Sequence, residues 1–590
     1  MKTTSNKVLR RLLPVILAAS LLASATLTVS CFMFPLLNQA DSISTLKDLD
    51  FNMFADDVTS NTLTLHTVVK DPAALAIAIS ETTLGDISKE KSDEMNSKFK
   101  GYQNRLSRVN FKTLSQEDRI TYEVIKYDLN EALDYQDYYY YSSPFNSITG
   151  LQTNLPLVLS EYSFENKADI DQYLLLLKDM KRYYGDLIDF EKERADKGFG
   201  APDVNLQKII DSCDSFLADR ENHFLISSFA GRLDKVSGLT DTEISDYIEQ
   251  NQKMLDDYVF PAYQILIDGF NGLMGKGEND GGLCNFKNGK KYYALLLMSD
   301  TSSDSSVKSI TSQIEKALSD EMDIIMTVPT DSSFQDSYNT YNFSEGTVKQ
   351  NLDYCESAIK DDFPEIMKHN VSLQEVPAAL EDFFSPAAYI TCKIDDPTDN
   401  VIVTNTAALT DYTNLLETIA HEGYPGHLYE AVYHAKNISS YYQRTASFIG
   451  YSEGWAEYAS EYVLKNSEYD QELVSYIAAE YQVTNLLLPA RIDIGVNYEG
   501  WNLQDVIKYV ADYYLSEDYA SYCYDMVIEI PCYYMPYCIG HINTDNIITN
   551  AQKKLGTSFS LQDIHKAYLD IGPAPFQIVE KYMDNYIQSQ

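Results

Sequence analysis

Two histidines and a glutamate fall within seven residues, His421-Glu422-Gly423-Tyr424-Pro425-Gly426-His427. Imidazole nitrogens are favoured zinc ligands, and a Glu directly after the first of them is placed to act as a general base on a zinc-bound water. In the ordinary His-Glu-x-x-His form the histidines stand at i and i+4, about 40° apart around a helix, so both face one ion. Here the second histidine comes at i+6. Six residues at about 100° each give roughly 240°, which on a regular helix turns the two rings to nearly opposite sides. A shared metal therefore demands a distorted backbone. Pro425 lacks an N–H and clashes with the preceding turn, while Gly426 tolerates unusual dihedrals, so the residues best suited to open the turn directly precede His427. The break follows Glu422 and leaves the His421–Glu422 relation of the ordinary motif undisturbed.

A blander reading is a pair of ordinary histidines beside a Pro-Gly helix stop. Against it, the chain has only eight histidines in 590 residues, and His421, His427 and His434 fall within fourteen positions. A third ligand is also well placed. Ser452-Glu453-Gly454-Trp455-Ala456-Glu457-Tyr458 opens an apolar-periodic helical run, with Glu453 twenty-six residues after His427. Two histidines and one carboxylate with an open fourth position describe a catalytic rather than a structural zinc site. Glu457, one turn on and on the same face, has three readings: a brace for the site, a rival ligand, or a solvated helix charge.

Other elements must position these groups. Residues 388–394 and 401–405 are short β-branched runs around a turn-rich 395–400, a hairpin just upstream of the motif. An edge strand there would align a substrate backbone by strand addition, and a purely stabilising hairpin is the alternative. From about 60 to 265 the pattern is helical, with Ile170, Tyr173, Leu174, Leu177, Met180 and Leu187 near one stripe. The tyrosine-dense stretch 135–141 reads as a half-buried helix face rather than a ligand stack. Glycine-rich sequence at 269–289 reads as an exposed loop, and the Ser/Asp-rich stretch 299–306 ends in good caps for the helix that follows. Helical periodicity returns through about 330 and again over 347–369. Near the C-terminus, Tyr537 is a candidate phenol to support an oxyanion.

Acidic residues outnumber basic ones 87 to 46, and the net charge of −41 argues against nucleic acid and against electrostatic docking on anionic lipid. The first forty residues are different. Lys2, Lys7, Arg10 and Arg11 precede an uncharged, mostly apolar run over 12–40, the pattern of a signal peptide or membrane anchor. Cys31, in Leu27-Thr28-Val29-Ser30-Cys31, resembles the modified cysteine of a bacterial lipoprotein box, with Thr28 where Leu is usual. Signal anchor and lipidation both remain open, and either tethers an exported protein at the extracellular face of the cell membrane. The expected organisation is a targeting segment at 1–40, a polar linker at 41–59, an N-terminal helical region at 60–375 and a zinc-binding catalytic region at 376–590. Eight cysteines show no paired framework, although one disulfide among Cys523, Cys532 and Cys538 is open.

Several motifs together resemble, in order, the bacterial domain-of-unknown-function 885 family over most of residues 50–590. They are the 421–427 and 453–458 segments, Pro489-Ala490-Arg491-Ile492-Asp493-Ile494-Gly495, Pro536-Tyr537-Cys538-Ile539-Gly540, and the close at 559–565. The resemblance implies a mainly α, large, cleft-bearing fold similar to zinc oligopeptidases and angiotensin-converting-type dipeptidyl carboxypeptidases, with a small β-hairpin or sheet beside the active site. By motif match it carries over His421, His427 and Glu453 as Zn2+ ligands and Glu422 as the base. Asn497 stands where the family usually shows His, and an Asn cannot titrate, so an oxyanion role there would pass to another group such as His541. The function implied is a zinc-dependent metallopeptidase acting on short peptides outside the cell. The alternative is a non-catalytic, tethered zinc- or peptide-binding lipoprotein.

Overall fold

Apolar side chains recurring every three to four residues govern most of the chain, and the fold is accordingly mainly helical, with one small three-stranded sheet. The computed structural model describes residues 39–590 apart from 79–80, 278, 280, 329–330, 377–380, 382–383, 410–412 and 559. The targeting segment expected at 1–40, with Cys31, lies outside the described residues but for its last two. Residues 41–59, expected to be a linker, instead lie almost wholly in helix α1 (Gln39–Val58). The stretch is polar and acidic in composition, yet Leu46, Leu49 and Met53 recur at helical spacing and bury against Tyr102, Leu106 and Ile125.

Helix α2 (Lys167–Asp196) follows the predicted stripe, with all six of its named residues buried and Asn166 capping its start. It packs on α3 (Phe260–Asn271) through Leu177, Met180 and Tyr184 against Tyr263, Leu266 and Phe270. The glycine-rich stretch that follows is less exposed than expected, since Leu283 is buried and its N–H donates to Asn497 Oδ1 at 2.9 Å. Next come α4 (Gly289–Asp300) and α5 (Val307–Thr327), the latter capped by Ser306 as its composition predicts. These two helices join the C-terminal part of the chain: Tyr293, Leu297, Ile310 and Ile314 share a core with Leu487, Ile494, Met535 and Ile539. Packing thus crosses the 375/376 boundary drawn from sequence. Tyr135, Tyr138 and Tyr141 lie half-buried against the same core, as expected, but on a short 3-10 helix at Tyr135–Asp137 and the turn that follows it rather than on the helix face the sequence suggested.

The sheet has the order β1-β3-β2, from β1 (Asn370–Glu375), β2 (Ala387–Ile390) and β3 (Asp399–Thr404). Strands β2 and β3 form the predicted antiparallel hairpin, with Ala387 opposite Thr404 and Ile390 opposite Val401. Strand β1 was not anticipated. It runs parallel to β3, from Asn370 opposite Asp399 to Glu375 opposite Thr404, which makes β3 central and β2 an edge.

The remaining helices that matter here are α6 (Leu415–Glu422), α7 (His427–Asn437), α8 (Ile449–Lys465), α9 (Leu488–Ile494), α10 (Met535–Leu555) and α11 (Leu561–Ile571). Leu416, Ile419, Leu428, Val432, Trp455, Val463, Ile547 and Ile564 form one core among them. Trp455 is fully buried and stacks on Tyr568 of α11, with ring centroids 5.3 Å apart. Truncating a buried Trp costs about 3–5 kcal/mol, so this contact holds α8 firmly. All seven described cysteines are free, which removes the disulfide considered among Cys523, Cys532 and Cys538. Among the described residues no helix is long and apolar enough to cross a membrane.

Candidate metal centre

The helix break demanded by the i+6 spacing is present. Helix α6 ends at Glu422, bends occupy 423–426, and α7 begins with His427 itself. The chain doubles back so closely that a Cβ on Gly426 would lie 1.8 Å from His421 O, a contact only glycine permits. The Gly426 N–H donates to Ala420 O at 3.0 Å, and Trp455 Nε1 of α8 donates to Pro425 O at 2.8 Å. The bend is thereby pinned both to the helix it leaves and to the helix that carries the third candidate ligand.

Helix α8 is set in turn by α10. A Cβ on Gly454 would come within 2.3 Å of the Gly540 backbone, so the two helices cross almost backbone to backbone beside Glu453. The result brings His421, His427 and Glu453 together, with one ligand atom from each within 4.8 Å of the others. Glu453 Oε2 lies 3.4 Å from His421 Nε2 and 3.4 Å from His427 Nε2. Two imidazole nitrogens and a carboxylate oxygen converging on one point form a donor set suited to zinc. Glu422 stays outside this triad. Its Oε2 accepts the Tyr389 N–H of edge strand β2 at 2.7 Å, which fixes the carboxylate beside the triad.

The far nitrogens of both rings face carboxylates. His421 Nδ1 lies 3.6 Å from Glu457 Oε1, and His427 Nδ1 lies 4.0 Å from Glu430 Oε2, which also accepts a 2.9 Å hydrogen bond from Ser452 Oγ. Glu457 is therefore neither a solvated charge nor part of the triad, but a contact of a ring that belongs to it. Glu422, Glu430, Glu453 and Glu457 are all buried around two imidazoles, an excess of acidic groups that a divalent cation would offset. Burial lowers the His427 pKa, but the Glu453 carboxylate and its neighbours outweigh it and raise the ring to about 10. Burial likewise raises Glu453, and here the two imidazoles win and hold it below the usual carboxylate range. Glu430 and Glu457 are raised, chiefly by burial.

The sequence profile of a family described as bacterial protein of unknown function, DUF885, matches residues 73–583. The chain belongs to DUF885. No curated protein matches it in sequence. Among solved structures, a candidate lipoprotein from Colwellia psychrerythraea superposes with a TM-score of 0.79 at 15% identity, covering 94% of this chain and 99% of that one. A candidate lipoprotein of unknown function from Shewanella oneidensis gives 0.56 at 14% identity, covering 92% and 98%. At such identities the likeness concerns the fold.

Other DUF885 positions singled out from sequence are not members of the triad. Asn497 is fully buried in a structural joint: its Oδ1 accepts from Leu283 N, and its Nδ2 donates to Asp493 Oδ1 at 2.9 Å and Val527 O at 2.8 Å. Asp493 in turn accepts the Cys532 N–H. His541 is engaged with Glu461 at 3.0 Å, and that carboxylate, outweighing burial, raises the ring to about 9. Tyr537 is buried in the core shared by α4, α9 and α10, one turn before Gly540. Tyr389, Glu430 and Ser452 were not picked out from sequence. Tyr389 acts through a backbone N–H, which leaves no side-chain signature, and Glu430 and Ser452 stand out only once His427 is seen to face them.

Proposed function

We propose that the chain is a zinc metallopeptidase that hydrolyses short peptides at the outer face of the cell membrane. The observation that carries this reading is the single Glu453 oxygen equidistant from His421 Nε2 and His427 Nε2, with Glu422 beside the triad and outside it. His421, His427 and Glu453 would hold the zinc. When bound, the metal supplies Lewis-acid polarisation of a scissile carbonyl and lowers the pKa of water.

The protein's own groups supply the rest. Tyr389 N–H occupies Glu422 Oε2, which leaves Oε1 to take a proton from the attacking water and to pass it to the departing amine nitrogen. Since β2 is an edge strand that directs this N–H toward Glu422, an extended peptide lying along it has its backbone beside the base. Tyr537 is assigned the support of the developing oxyanion. Likeness to zinc oligopeptidases belongs to this reading as well. An exported, tethered location draws on the basic-then-apolar first forty residues and on the lipoprotein descriptions of the two structural relatives.

The test is incubation of purified, zinc-supplemented protein with a mixture of peptides about ten residues long, read by mass spectrometry. Discrete cleavage that a chelator abolishes and zinc restores is expected. Intact peptides, or cleavage indifferent to chelation, would overturn the proposal, and zinc bound without cleavage would favour a binding protein.

A further inference from the structure

Helix ends at Glu422 and resumes at His427, so where His427 stands relative to Glu422 depends on what holds residues 423–426 between them. The Gly426 N–H and Trp455 Nε1 secure the far end of this bend, at Ala420 O and Pro425 O. Its middle is held by a side chain of its own. Tyr424 is buried, and its hydroxyl meets His369 Nε2 at 2.6 Å. The other nitrogen of that ring, Nδ1, lies 2.8 Å from Met367 O. A carbonyl only accepts, so Nδ1 carries the proton, and Nε2 of the neutral ring is left to take the Tyr424 O–H. Two bonds thus fix the ring in tautomer and orientation, and His369 stands directly before β1, which starts at Asn370.

Strand β1 closes a circuit. It pairs with β3, β3 pairs with β2, and β2 donates the Tyr389 N–H to Glu422 Oε2 at 2.7 Å. One small sheet therefore grips the motif at two places, at Glu422 through its edge strand and at Tyr424 through the residue that leads into β1. Glu422 follows His421 at the end of α6, whereas Tyr424 lies in the bend that delivers His427. Neither Tyr424 nor His369 belongs to the triad. We propose that His369 and Tyr424 are a positioning pair, whose hydrogen bond registers the His427 end of the motif against the sheet that holds Glu422 and so fixes the metal relative to the base. The metal is taken from the reading above, and peptide hydrolysis is not needed for the pair to act. Breaking the bond strands a buried phenol, which is why it resists displacement.

The full-length chain loaded with cobalt(II) in place of zinc reports ligand geometry through its visible absorption, and zinc affinity is read by competition against a chelating dye. The variants compared are Tyr424→Phe, which removes the hydroxyl and keeps the ring, His369→Ala, His369→Gln, whose amide oxygen can accept the Tyr424 O–H, and His369→Gln combined with Tyr424→Phe. Tyr424→Phe and His369→Ala should each shift the cobalt bands and weaken zinc about two- to tenfold, the range of one net hydrogen bond. His369→Gln should restore most of both, but only while the Tyr424 hydroxyl is present, a dependence that general loosening of the fold does not produce. Unchanged bands and affinity in Tyr424→Phe, or a restoration by His369→Gln that survives Tyr424→Phe, would overturn the proposal. Tyr424→Phe decides the matter by itself where His369→Ala fails to fold. Shifted bands in a protein that cleaves no peptide would sink the peptidase reading and leave the pair standing, whereas a chain that binds neither metal would overturn both.

Discussion

Glu457 is one helical turn from Glu453, yet the two have different work in this site. Glu453 Oε2 meets both Nε2 atoms, whereas Glu457 Oε1 meets the opposite nitrogen of one ring, His421 Nδ1. A carboxylate in that position fixes the ring's orientation and raises its basicity, and losing such a partner typically weakens metal binding about 10- to 100-fold. Glu457→Gln should therefore still take up one zinc at saturation with affinity reduced by about that factor, and Glu453→Ala should lose most of the metal. Competition against a chelating dye measures both. If Glu457→Gln lost zinc as completely as Glu453→Ala, the third ligand would have to be reassigned by one turn. At this scale the triad was legible because its chemistry resides in side-chain types at informative spacings. The role of Glu457 was not, since the spacing places it on the right face without saying which nitrogen it meets.

Among elements, the crossing of α8 and α10 matters most, because Gly454 sits next to Glu453 and leaves no room for a methyl group against Gly540. Gly454→Ala should destabilise the fold by about 1–3 kcal/mol through overpacking, and lower zinc occupancy by displacing Glu453. Gly185, within α2, has nothing within 4 Å of where its Cβ would stand, so Gly185→Ala should be neutral or stabilise by up to about 1 kcal/mol. Urea denaturation of the two variants compares them directly, and a Gly454→Ala protein as stable as Gly185→Ala would contradict the close crossing. The break between α6 and α7 was legible because Pro425 and Gly426 are strong local signals that agree with what the histidine spacing requires. Strand β1 was not, because its six residues are mostly exposed and polar and its pairing with β3 is non-local. Helix α1 was misread because its acidic and polar residues were weighed as a linker's composition, while the helical spacing of Leu46, Leu49 and Met53 decides its packing.

For the molecule as a whole, buried titratable groups fix how stability varies with pH. Burial lowers His66 and His434 to about 3, and His223 and His565 to about 4, from an ordinary 6.5. Below pH 6.5 the unfolded chain binds protons that these native rings refuse, so stability falls with acidification. Burial raises Asp493 to about 7 and Glu417 to about 8, the latter with help from the Glu457 and Glu461 charges. Their contribution is fully present below the unfolded values of 3.8 and 4.5 and is lost as pH rises through the native ones. His427 and His541, raised to about 10 and about 9, lose stability in the same direction above 6.5. The metal-free chain should thus be most stable near pH 6.5 and weaken toward both pH 5 and pH 8, by up to about 1.4 kcal/mol per pH unit for each group changing. Urea midpoints at the three pH values check this. A midpoint still rising from pH 6.5 to 8 would show that the raised groups are not protonated in the native state.

Glu422→Gln bears most directly on whether this site catalyses or only binds. The amide oxygen of Gln can still accept the Tyr389 N–H and keep the side chain in place, but it cannot take a proton from water. Zinc content and peptide turnover should be measured on the same preparation. The expected result is about one zinc per chain, as in the unsubstituted protein, with turnover reduced roughly 10²–10⁴-fold. A Glu422→Gln protein that cleaves peptides within a few-fold of the unsubstituted rate would contradict the assignment of Glu422 as the base, wherever the zinc is held.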